Sequence, residues 1–259
     1  MNFLRPLITV SGLLLLWGLI VAVTDLPKFI LPSPLLVFHT LTAKIDLIAG
    51  HALITATEIL LGLAVGISFG MLSALLISAY KPVRQWVLPI LIASQAIPVF
   101  AIAPLLVIWM GYGLAPKVIV GALIIYFPVA VGFLDGLNRT DPAWLNLTAL
   151  LQKSGSGSAF LNRYRLYRHI KIPFALPSLA SGIRVGTAIA PIGAIIGEWV
   201  GSSAGLGFLM LNANARMQID LVFASLMVLT FMALTLYFLM DHVLRRLMPW
   251  QPDQKVTSI

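Results

Sequence analysis

The chain has 259 residues, 59% hydrophobic and only 10% charged, and its mean hydropathy is +0.98. A soluble domain carries about 25% charged residues, so this chain lacks the polar surface to coat a water-soluble globule, and lipid is the solvent that suits it. The net charge of +8 would suggest nucleic acid for a soluble protein, but in a membrane chain it reads as basic residues collected on one side; with no cysteine, disulfides and thiolate metal sites are excluded.

Six apolar runs follow in order, at about 7–23, 55–78, 87–110, 116–134, 179–200 and 221–239. Each has roughly the 17–25 residues that a helix needs to cross the hydrocarbon. None shows the alternation of a barrel strand, so the fold class is all-α, a single transmembrane domain with about six spans. The first run follows Arg5 and lacks a small-x-small cleavage site before Asp25, so it is expected to stay as the first membrane helix. Leu31-Pro32-Ser33-Pro34 predicts a rigid extended stretch, with a short helix after it. Thr55-Ala56-Thr57-Glu58 fits a capping box opening the second span, which makes Glu58 a cap.

Charge sets the orientation. With the N-terminus cytoplasmic, twelve Lys and Arg fall on cytoplasmic segments (Arg5, Lys81, Arg84, Arg139, Lys153, Arg163, Arg165, Arg168, Lys171, Arg245, Arg246, Lys255). Four fall outside (Lys28, Lys44, Lys117, Arg216), and Arg184 lies near the cytoplasmic end of the fifth span. The bias places both termini inside. The longest cytoplasmic loop is 136–177.

Several residues within the spans stand out. Gly62, Gly66 and Gly70 share one helix face, and Gly182/Gly186 and Gly193/Gly197/Gly201 repeat the spacing. Such glycines let helix backbones approach closely, within one bundle or at a subunit interface. Pro98, Pro104, Pro128 and Pro191 interrupt three spans, and broken helices line substrate paths in transporters. Ser94 and Gln95 precede Ile97-Pro98; Gln95 can meet either a neighbouring helix or the substrate. Glu198, beside Trp199, is either an interfacial residue in water or part of a pore or gate. There is no phosphate-binding Gly-x-x-x-x-Gly-Lys-Ser/Thr loop and no His-Glu-x-x-His pair, and the four histidines are scattered. Nothing marks a catalytic site or a metal site.

The most specific stretch runs from Arg168-His169-Ile170-Lys171-Ile172-Pro173 through Leu176-Pro177 to Gly182-Ile183-Arg184. It resembles the closing part of the coupling-loop motif of binding-protein-dependent ABC importer permeases. Three further stretches agree: Phe29 to Pro34; Ile97-Pro98 through Pro104 to Gly111-Tyr112-Gly113; and Gly197-Glu198-Trp199 through Gly205-Leu206-Gly207-Phe208-Leu209. The likeness covers nearly the whole chain and is closest to the nitrate, sulfonate and taurine group, within it to permeases for pyrimidine precursors of thiamine. It departs at 150–158, where Leu150-Leu151-Gln152-Lys153-Ser154-Gly155-Ser156-Gly157-Ser158 lacks the family's acidic residue and alanine pair. The coupling helix would then span about 159–168, or begin earlier.

The resemblance implies a type I importer permease of the bacterial inner membrane, translocating a small solute brought by a periplasmic or extracellular binding protein. It implies an ATPase dimer as partner, with ATP and Mg there and no cofactor in this chain, and by default a second copy of the permease. Arg163, Tyr164, Arg165, Arg168, Pro173, Pro177 and Gly182 would belong to the ATPase-coupling segment. The expected solute is a hydroxymethylpyrimidine-like compound, with sulfonate, taurine or nitrate as alternatives. An ion-gradient transporter is a more distant alternative, since it would place carboxylates at the midplane. A membrane enzyme would need a convergent catalytic set, and none is visible.

Overall fold

A computed structural model describes residues 4–141, 144 and 159–250, and among these all regular structure is helical. The helices are α1 (Leu4–Thr24), α2 (Pro34–Ala43), α3 (Ile45–Ala79), α4 (Lys81–Ala93), α5 (Val99–Met110), α6 (Leu114–Asn138), α7 (Ala159–Leu166), α8 (Ile172–Gly201), α9 (Leu206–Ala215) and α10 (Ile219–Leu247). The departure from the coupling motif at 150–158 lies outside the described residues.

Among the described residues, four helices are long and apolar enough to cross a membrane: Ile45–Ala79, Leu114–Asn138, Leu161–Gly201 and Ile219–Leu247. The α4–α5 pair passes the same test together but is bent by 103°. It starts beside α7, where Arg163 covers the Tyr80 ring, and ends where Val107 packs on Gly201 at the far end of α8. It therefore crosses from the cytoplasmic to the outer end as one broken span. With 21 residues, α1 reaches about 30 Å, the thickness of the hydrocarbon core. Leu13, Leu15 and Val23 on α1, and Phe231 and Phe238 on α10, are exposed apolar side chains that lipid would cover.

The break in the expected third span has a local cause. Pro98 offers no amide donor and pushes Ile97 out of the helical region, to φ −91°, ψ 116°. Ser94–Ala96 tighten into a 3-10 turn, and Ser94 Oγ donates to the Leu91 carbonyl at 2.7 Å. At the other expected boundaries the helices run longer. α3 begins at Ile45, so Thr55 and Glu58 lie well inside it, and the capping-box reading is wrong. The short helix after Leu31-Pro32 is α2, capped by Ser33, whose Oγ accepts from the Leu36 amide at 3.3 Å.

α3, α6 and α8 form the centre. Ile59, Leu63, Ile125, Val129, Phe133, Leu179 and Ile183 make their shared core. The glycines explain how closely they pack. A methyl on Gly66 would stand 2.9 Å from the Ala122 carbonyl oxygen and from Ile125 Cβ; one on Gly193 would stand 2.8 Å from Gly121 Cα. Gly62 and Gly70 also face α6, Gly197 meets Lys117 of α6, and Gly182 lies directly on the Pro128 carbonyl. At each of these positions the space a methyl would take is filled by α6, so these glycines set the close packing of the bundle. A second core joins α2, α9, α10 and the start of α3 around Val37, Ile48, Leu206 and Leu221, with Trp17 of α1 stacked on Phe223 at 5.4 Å.

Candidate functional site

A cavity of about 700 Å³ opens beside the break between α4 and α5. Ser94, Gln95, Ile97 and Pro98 form one wall, and the middle of α6 around Pro128 forms another. Ser178, Ser181 and Gly182 of α8 close the third side. Toward the cytoplasmic end the lining adds Asp135 and Arg139, one helical turn apart on α6. The lining combines apolar walls with a few hydroxyls, one amide and, at one end, two opposite charges, a surface able to hold a small organic molecule. Ser94, Gln95, Pro98 and Gly182, named from the sequence, meet here. Asp135, Arg139, Ser178 and Ser181 were not singled out; no spacing marks them, because they come together only through the packing of α6 on α8.

Glu198 does not face this cavity. It is 1% exposed at the outer end of α8, so it is neither a water-facing residue nor a pore wall in this chain. Its Oε1 accepts from Thr55 Oγ1 at 2.6 Å, and its Oε2 accepts from the amides of Gly207 and of Phe208, the latter at 3.3 Å. Thr55 Oγ1 in turn accepts from the Leu206 amide at 2.8 Å, and His51 Nδ1 accepts from the Gly205 amide at 2.9 Å. The turn between α8 and α9 is thus clamped onto α3 by side chains that take up the amide donors leading into α9. Gly205 is required here: its φ is +114°, and a Cβ would enter the Glu198 carboxylate. Trp199, next in sequence, is 47% exposed.

A buried ion pair adjoins the clamp. Lys117 Nζ donates to Glu58 Oε1 at 2.7 Å and to Ser202 Oγ at 2.6 Å. Glu58 is therefore the counter-ion of Lys117, an assignment hidden by reading Lys117 as an outer-segment charge and Glu58 as a cap. A lysine and a glutamate inside otherwise apolar runs were the available signal. Deeper toward the cytoplasm, Arg184 of α8 pairs with Asp241 of α10 at 2.6 Å, and Arg245 joins the same carboxylate at 2.8 Å.

The expected coupling segment is helical but not separate. α7 passes through a π-helical turn, Tyr167–Lys171, straight into α8. The wide turn sits where Pro173 would otherwise clash with the preceding turn and withhold a donor. Arg163, Tyr164, Arg165 and Arg168 are exposed, while Pro173 and Pro177 are half-buried within the helix. Tyr167 ties this end to α3 through a 3.0 Å hydrogen bond with Ser78.

Residues 66–250 match the family model described as "Binding-protein-dependent transport system inner membrane component". A probable ABC transporter permease protein of Haemophilus influenzae is 47% identical over 95% of this chain and 97% of its own length. The formylaminopyrimidine transport permease protein ThiX of Halalkalibacterium halodurans is 31% identical, over 97% of both chains. The riboflavin transport system permease protein RibX of Chloroflexus aurantiacus is 35% identical, over 94% of this chain and 89% of its own. With the helical bundle, the broken span and this match in agreement, the chain belongs to the inner-membrane permeases of binding-protein-dependent ABC importers.

Proposed function

We propose that this permease forms half of a translocation path for a small heteroaromatic solute, a pyrimidine precursor of thiamine first among them. The observation that carries this reading is the 700 Å³ cavity at the broken span, walled largely by apolar side chains, with Ser94, Gln95, Ser178 and Ser181 as neutral hydrogen-bonding groups and the opposite charges of Asp135 and Arg139 at one end. Flat rings with polar edges suit such a lining better than a small, strongly hydrated anion would. ThiX, named for formylaminopyrimidine, and RibX, named for riboflavin, are both relatives above 30% identity, and both named solutes are heteroaromatic. The cavity is open on one side, which a second copy of the chain, related by a twofold axis, would close. ATP hydrolysis, with its Mg, would belong to a separate ATPase dimer, and the exposed face of α7 carrying Arg165 and Arg168 would meet it. Solute would arrive on a binding protein docked on the outer face.

The test is ATPase stimulation in liposomes holding the permease, its ATPase and the binding protein. The binding protein is loaded in turn with formylaminopyrimidine, riboflavin, taurine, an alkanesulfonate or nitrate. Stimulation by the first, lost on Gln95→Leu with the complex intact, supports both path and solute class. Stimulation by taurine, sulfonate or nitrate alone overturns the heteroaromatic assignment.

A further inference from the structure

We propose that a cationic recess at the cytoplasmic end of α3 and α4 binds the phosphate headgroup of an anionic phospholipid. The recess has a volume of about 580 Å³ and lies between the α3–α4 corner and the α7 end of the long helix. Lys81 and Arg84 enter it from α4, and Arg163 and Lys171 from the opposite side. Among the described residues no carboxylate lines it, and none of the ion pairs involves these four cations. Four like charges around one space at the edge of a low-dielectric slab repel one another, and an anion placed between them relieves that cost.

The recess is built rather than incidental. The Arg163 guanidinium lies over the Tyr80 ring at 5.6 Å, and Lys171 Nζ over the Tyr167 ring at 5.0 Å. Tyr167 is itself fixed by its hydrogen bond to Ser78. The 13-residue helix α4 begins at the recess with no side chain capping it, so its partial positive charge adds to that of the side chains.

Position selects a lipid over a soluble phosphate. Lys81 shares one stripe of α4 with Leu88 and Ile92, at i+7 and i+11; Leu88 packs partly against the core, and Ile92 is 61% exposed. Trp86, 76% exposed on the same helix, is an interfacial aromatic beside the charged end. A headgroup in the recess can therefore lay its acyl chains along α4 toward the bend. Basic pockets between helices on the cytoplasmic side are suited to such headgroups.

The test is a lipid titration of the purified full chain, read by native mass spectrometry, with phosphatidylglycerol, phosphatidylcholine, and inorganic or glycerol phosphate as ligands. Phosphatidylglycerol is expected to be retained in preference to phosphatidylcholine. At about one kcal/mol per basic residue near the surface, Lys81→Gln/Arg84→Gln is expected to weaken it about thirty-fold. Arg165→Gln/Arg246→Gln, with the same change in net charge outside the recess, is expected to leave retention unchanged. Equal weakening by the two pairs reduces the effect to general attraction and overturns the site. Binding of inorganic or glycerol phosphate as tight as that of the lipid overturns the lipid assignment. Unchanged lipid retention with lost ATPase association in Lys81→Gln/Arg84→Gln assigns the recess to the ATPase instead. Matching elution profiles and helical content of the variants show that folding is not the cause.

Discussion

Replacing Lys117 by Met keeps most of the side-chain volume and removes only the ammonium, which leaves the Glu58 carboxylate, with 0% side-chain exposure, lacking its cation. Removing one partner of a buried pair costs about 3–5 kcal/mol, because the remaining charge stays dry. One feature pushes toward the upper end: among the described residues Glu58 Oε2 already lacks a hydrogen-bond partner. Removing both charges, in Glu58→Gln/Lys117→Met, is expected to cost about 1–2 kcal/mol, since replacing a buried pair by neutral groups is often close to neutral. The assay is thermal unfolding in detergent of the wild type, both single variants and the double, treated as a cycle. The expected order of midpoints is wild type, then the double, then Lys117→Met. A double variant that melts at or below Lys117→Met would refute the reasoning, for the lone carboxylate would then not be the source of the loss.

Glu198→Ala strands the amides of Gly207 and Phe208 and is expected to cost about 2–4 kcal/mol by the same melting assay, whereas Glu198→Gln, which keeps an acceptor, recovers most of it. Gly205→Ala combines a positive φ with a methyl aimed at that carboxylate, and is expected to open the 202–207 turn to protease while leaving the cytoplasmic end protected. Asp241→Asn weakens two ion pairs at a half-buried carboxylate and is expected to lower stability by about 1 kcal/mol, with less effect in high salt than at low.

Hydropathy made the membrane class and the long helices legible, because length and apolarity are properties of one segment at a time. Helix ends were less so: the start of α3 precedes its most apolar stretch, since residues 45–54 pack beneath α2 and α9 and need not be uniformly apolar. Pro98 signalled a disruption, but a 103° bend depends on what α5 then packs against, namely Val120 and Ile196. The glycine ladders announced close packing, yet could not name α6 as the shared partner. The sites show the same division. Ser94, Gln95 and Pro98 were found because polar residues and a proline stand out inside one run. Lys117 with Glu58, and Glu198 with Gly207, pair across 59 and 9 residues of chain, and only the fold brings each pair together.

The helix from Leu161 to Gly201 is 41 residues long, about 60 Å from end to end. It carries the exposed arginines at its inner tip and the Glu198 clamp near its outer one. A rod of that length converts angle into distance: one degree of tilt about its inner tip sweeps the outer tip by about 1 Å. A tilt at the arginine-bearing end is therefore carried to the Ser202–Gly207 turn by the helix itself. The π-helical turn and the helix prolines Pro177 and Pro191 are places where it can flex, so their stiffness sets how much of such a tilt survives the crossing.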